Sequence, residues 1–107
     1  MKKDIRFYEL EIINSIIQIE KYLAWVPKNI FITSDEKFDA CCMRLQHIWE
    51  CGIKLEELTE KDYKWIPFSF MRGLRNRITH DYAWLDEEII YNTIMHHLPE
   101  LKKLLES

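Results

Sequence analysis

Residues 3–26 read KDIRFYELEIINSIIQIEKYLAWV, and the spacing of their apolar side chains decides the class of fold. Ile5, Tyr8, Ile12, Ile16, Ile19, Leu23 and Val26 fall three or four apart, with Ile13 and Ile17 widening the stripe. Asp4, Glu9, Glu11, Glu20 and Lys21 mostly take the other face. Such a period is the mark of an amphipathic helix that buries one side. Pro27 and Asn29 are expected to stop it, because proline cannot donate a backbone hydrogen bond. Residues 27–33 are then a connection.

Working outward, Thr33-Ser34-Asp35-Glu36 has the form of a capping box, the Thr33 hydroxyl and the Glu36 carboxylate satisfying orphan amides at a helix start. The second helix carries Phe38, Cys41, Cys42, Leu45, Ile48, Trp49, Leu55 and Leu58 inward, and after so short a connection it should run antiparallel to the first. Gly52 is tolerated inside it for close packing. The stretch TEKDYKWI at 59–66 loses the period and reads as a charged connection. Pro67 suits the first turn of a third helix, with Phe70, Met71, Leu74 and Ile78 facing in. Asp86 is a good N-cap for a final helix that starts with Glu87 and Glu88 and turns Ile89, Ile90, Ile94, Leu98, Leu101, Leu104 and Leu105 inward. Pro99 falls within that pattern, so a kink or break is expected near His96 to Leu98, before a short last piece ending near Lys102 and Lys103.

Two glycines and three prolines in 107 residues leave little to interrupt helices. The expectation is an all-α, up-and-down bundle of four to five helices in one domain, 1–107. No apolar run approaches the roughly 20 residues of a membrane span, so a soluble, cytoplasmic protein without membrane contact is expected. The net charge of −3 argues against non-specific nucleic-acid binding over the whole surface, so any basic site must be concentrated.

Cys41, Cys42 and Cys51 follow no secretory signal and read as reduced packing residues. His47 and Cys51, four apart, could place two metal ligands on one helix face, but no complementary second pair exists and no metal site is expected. A partly buried histidine beside a core thiol is the reading there. His96 and His97 point about 100° apart and read as surface residues. No glycine-rich phosphate loop, internal repeat or low-complexity segment is present.

The densest polar chemistry lies at 71–86, MRGLRNRITHDYAWLD. With Leu74 facing the core, Arg72, Asn76 and Thr79 lie roughly opposite on a regular helix. Asn76 and His80 share a side, whereas Arg75 and His80 are about 140° apart. Either the helix unwinds near His80, or two copies of the segment meet across the two-fold axis of a homodimer. The second is more economical, since it gathers two Arg75, two Asn76 and two His80 in one basic groove. Histidine can move a proton near neutral pH, and arginine can hold a phosphate in a fixed fork. RNA supplies its own 2′-hydroxyl nucleophile, so these groups suffice for phosphodiester cleavage without a metal or cofactor. The spacing alone also fits an exposed basic helix end with a buried histidine.

The octet RNRITHDY, residues 75–82, closely resembles the signature of HEPN-domain proteins, in the HepT toxin subgroup whose histidine is followed by any residue and a tyrosine. Phe38-Asp39-Ala40, Leu45 through Ile48-Trp49-Glu50, Pro67, Asp86 and Leu98-Pro99-Glu100-Leu101 extend the likeness over nearly the whole chain. The resemblance implies a HEPN-like bundle that dimerises around the motif and acts as a metal-independent endoribonuclease toxin of a toxin-antitoxin module. Arg75 and His80 match the catalytic pair, and Asn76 matches the polar residue that helps arrange the site. Tyr82 matches the tyrosine that a cognate MntA-type nucleotidyltransferase antitoxin modifies with AMP, using ATP. Arg72, Arg77 and Thr79 are candidate RNA contacts, with tRNA a candidate substrate. The alternative is a non-catalytic HEPN module that binds nucleotide or RNA, or docks the nucleotidyltransferase. The chain departs from the family at Trp49-Glu50-Cys51, where Gly-Glu-Ala is usual, so Trp49 is expected to alter helix packing or the dimer contact.

Overall fold

The computed structural model describes residues 3–59 and 87–106. Among these residues every regular element is helical, and the fold is an all-α bundle. The first helix, α1, spans Ile5–Leu23. Its N-cap is Asp4, whose carboxylate accepts the Phe7 amide at 2.9 Å, the orphan-donor satisfaction expected of an aspartate there. Ile12, Ile13, Ile16, Ile19 and Leu23 are buried, as the period requires.

The helix ends earlier than Val26. Ala24 is its C-cap, and Trp25 stands in the left-handed region at φ 64°. That conformation costs a residue with a Cβ roughly 1–2 kcal/mol. Val26 N–H then donates to the Leu23 carbonyl at 2.9 Å and closes the turn.

Residues 27–33 are more than a connection. Pro27 is the N-cap of a short helix, α2, spanning Lys28–Thr33, and its carbonyl accepts from the Ile30 and Phe31 amides at 3.0 and 3.1 Å. Proline therefore starts a helix here as well as following one, since its missing N–H is no loss ahead of a first turn. Asn29 lies within α2 rather than stopping anything. Phe31 gives the short helix its anchor: it is wholly buried, edge-on to Phe38 at 6.0 Å and tilted against Tyr91 at 5.4 Å.

Helix α3 spans Asp35–Leu58, and its cap falls one residue later than the capping-box reading. Ser34 Oγ accepts the Lys37 amide at 3.2 Å. The Thr33 hydroxyl instead donates back to the Asn29 and Ile30 carbonyls, at 2.9 and 3.3 Å, and so belongs to the end of α2. Phe38, Cys41, Cys42, Leu45, Ile48, Trp49, Cys51, Gly52 and Leu55 are buried, but Leu58, in the last turn, is half exposed. Trp49 is 5% exposed, so its bulk is taken up inside this chain's own core.

Helices α1 and α3 run antiparallel. Arg44 Nε donates to Tyr22 Oη at 3.2 Å near one end, and Lys3 and Lys54 line one cleft at the other.

Helix α4, Glu87–Asn92, opens with Glu87 and Glu88 in its first turn. A π-helical turn, Thr93–His97, joins it to α5, Leu98–Glu106. The break foreseen at Pro99 takes this form: Leu98 N–H donates five residues back to the Thr93 carbonyl. Proline in a regular helix loses one donor and crowds the carbonyl four residues earlier, and a wider turn relieves that crowding. Ile90, Ile94, Leu98, Leu101 and Leu105 are buried, whereas Ile89 is nearly half exposed. Lys102 Nζ donates to Glu20 at 3.0 Å, joining α5 to α1, and that bond, as the largest cause, raises the Lys102 pKa.

Candidate functional site

Arg72, Arg75, Asn76, Arg77, Thr79, His80 and Tyr82 lie outside the described residues, as do the expected third helix and the Asp86 cap. Along the chain, the described helices precede and follow that segment. Helix α3 ends at Leu58 with Thr59 as its C-cap, whose N–H donates to the Leu55 carbonyl at 3.1 Å. The chain re-enters the described structure at Glu87, the first residue of α4.

The other pair singled out from sequence, His47 and Cys51, is well defined. Four residues apart on α3, their Nε2 and Sγ atoms share a hydrogen bond at 3.6 Å. The imidazole is exposed rather than partly buried, and the thiol is 4% exposed. Both line a cleft of about 250 Å³ between the start of α1 and the second half of α3, together with Phe7, Tyr8, Glu11 and Glu50.

Lysines and carboxylates are mixed along this cleft. Lys3 Nζ sits 5.6 Å above the Phe7 ring, and Lys54 Nζ is 3.6 Å from Glu57. Burial pushes the Cys51 thiol up to about 11, and the nearby Glu11 and Glu50 carboxylates push it the same way. A thiol held protonated is a poor nucleophile and a poor metal ligand. Among the described residues no group of three or more His, Cys, Asp or Glu is placed to hold a metal ion. His47 and Cys51 are thus joined by a hydrogen bond, with the thiol in the core as the sequence reading had it and the imidazole outside it.

The same holds for the other thiols. Burial raises Cys41 to about 11, partly offset by Lys37. Burial, then Cys41, Asp39 and Glu87, raise Cys42 to about 12. All three cysteines are free. His96 and His97 lie exposed on the π-helical turn, as expected for surface residues. No helix among the described residues is long and apolar enough to cross a membrane.

Sequence reasoning missed Trp25. The signal available was an aromatic ahead of Val-Pro at a helix end, which periodicity alone assigns to no face.

A helical bundle whose densest polar sequence is an Arg-Asn-x-x-x-His string defines a class that comparison with known proteins identifies. The family model for ribonuclease HepT-like proteins matches residues 12–107, and the chain belongs to that family. Two relatives come from Methanocaldococcus jannaschii. The protein named "Putative RNase MJ0125" is 26% identical over 105 residues, covering 98% of this chain and 90% of the relative. "Putative RNase MJ1216" is also 26% identical over 105 residues, covering 98% of this chain and 87% of the relative. No solved structure matches the chain.

Proposed function

We propose that this protein is a metal-independent endoribonuclease working as a homodimer, with Arg75 and His80 as its catalytic pair. The observation that carries the reading is the family match across residues 12–107, which includes the whole octet 75–82. In this reading the 2′-hydroxyl of the substrate attacks the adjacent phosphorus while a His80 imidazole takes its proton. The bond to the 5′-oxygen breaks, that oxygen is protonated, and a 2′,3′-cyclic phosphate and a 5′-hydroxyl end remain. Arg75 holds the phosphate and stabilises the charge that builds on it. Asn76 orients the groups, and Arg72, Arg77 and Thr79 contact the RNA backbone.

The about 140° between Arg75 and His80 on one regular helix supports a site composed from two copies. Tyr82, seven residues after Arg75, projects within about 20° of it on such a helix. AMP placed on the Tyr82 hydroxyl would bring negative charge over the arginine and fill the space of the RNA backbone. The reading therefore includes a nucleotidyltransferase antitoxin that transfers AMP from ATP to Tyr82, in a toxin-antitoxin module.

The test is RNA cleavage in excess chelator by wild type, His80→Ala and Arg75→Ala. Wild type should cleave, and each variant should lose at least about 100-fold, the scale of general acid–base catalysis. Equal cleavage by all three removes the site assignment. Adenylylation with the partner enzyme should silence wild type and leave Tyr82→Phe active and unmodified.

A further inference from the structure

Trp25 is 100% exposed, and its backbone stands at φ 64°. An indole in water and a left-handed non-glycine residue are each unfavourable, and among the described residues no packing offsets either of them, because the ring is wholly exposed. The segment is nonetheless held firmly on both sides. Ala24 and Val26 amides bond back to the Lys21 and Leu23 carbonyls, and Pro27 accepts the first amides of α2. That helix is in turn pinned by the buried Phe31. The indole is thus presented outward from a fixed turn.

Between Glu20 and Asp35 the chain on either side of Trp25 carries charge of one sign only. Residues 21–34 contain Lys21 and Lys28 and no carboxylate, in a protein of net charge −3. A longer carboxylate-free stretch, residues 63–80, contains Arg72, Arg75 and His80. Lys28 lies 3.4 Å from Glu88, but both side chains are largely exposed, and such a pair is weak enough to exchange for a phosphate.

We propose that Trp25 is a stacking platform for an unpaired base of single-stranded RNA, with Lys21 and Lys28 contacting the flanking phosphates. A flat aromatic face beside cations is the chemistry that binds single strands without reading their sequence. The proposal rests on the ribonuclease reading for the identity of the strand.

A labelled 2′-O-methyl RNA oligonucleotide lacks the attacking hydroxyl, so its binding is read apart from cleavage. Trp25→Ala should weaken binding about five-fold or more, and Trp25→Tyr should keep most of it. Lys28→Gln should flatten the salt dependence. Thermal melts of the variants should show folded protein, since the ring is uncovered. Wild-type affinity in Trp25→Ala overturns the proposal, as does no binding by wild type. Loss of self-association in Trp25→Ala with RNA binding unchanged also overturns it, assigning the indole to a protein contact. If wild type fails to cleave RNA while Trp25→Ala still weakens binding, the ribonuclease reading falls and the platform stands.

Discussion

Cys41, Cys42 and Cys51 carry a pH dependence that can be signed. Unfolded thiols ionise near 9.0, whereas burial raises the folded ones to about 11, 12 and 11. Above pH 9 the unfolded chain loses thiol protons that the folded chain keeps, so stability is full below pH 9 and falls as the pH rises through 11. Thermal melts at pH 8 and pH 10.5 should show this fall, and it should shrink in Cys42→Ala even though that variant starts lower through lost packing. An equal fall in wild type and Cys42→Ala would remove Cys42 as a cause. The arrangement was partly legible: three cysteines on a helical stripe read as core. The neighbouring carboxylates were not, because Glu11 and Glu87 reach the thiols from other helices.

At the scale of elements, the junction between α2 and α3 separates two hydroxyls that look alike in sequence. Ser34 Oγ accepts the Lys37 amide, while Thr33 Oγ1 donates to carbonyls of the preceding turn. Ser34→Ala should therefore cost about 1 kcal/mol, and Thr33→Ala clearly less. Urea denaturation of the two variants checks the order, and the reverse order would place the cap at Thr33. The capping-box pattern was right in kind and wrong by one residue, because a pattern cannot tell which hydroxyl closes one helix and which opens the next. Helix α2 went unread for a related reason. Six residues are too few to display a period, and its stability comes from Phe31 packing on Phe38 and Tyr91.

Across the whole molecule, the long helices were legible because burial repeats along them: Ile12, Ile16, Ile19 and Leu23 on α1, and Phe38 through Leu55 on α3. Leu58 and Ile89, near helix ends, depart from that rule and are about half exposed. The candidate site was legible as a string, through the octet 75–82 and its family likeness. Its shape was not: Arg75 and His80 would stand about 140° apart if they lay on one regular helix, they fall outside the described residues, and a period within one chain carries no information about a second copy.

The π-helical turn at Thr93–His97 also bears on which changes of length the chain can accept. A turn that bonds five residues back holds one residue more than the regular helix needs, so it has the form of a single-residue insertion. Deleting the exposed Met95 would bring Leu98 to four residues after Thr93 and return their bond to the ordinary helical pattern. Pro99 would then sit in a regular helix, at a cost of about 3 kcal/mol. Deletion alone should lower the melting temperature, and deletion combined with Pro99→Ala should recover much of the loss. Additive effects of the two changes would show them to be independent. The extra residue and the proline are thus expected to be gained or lost together.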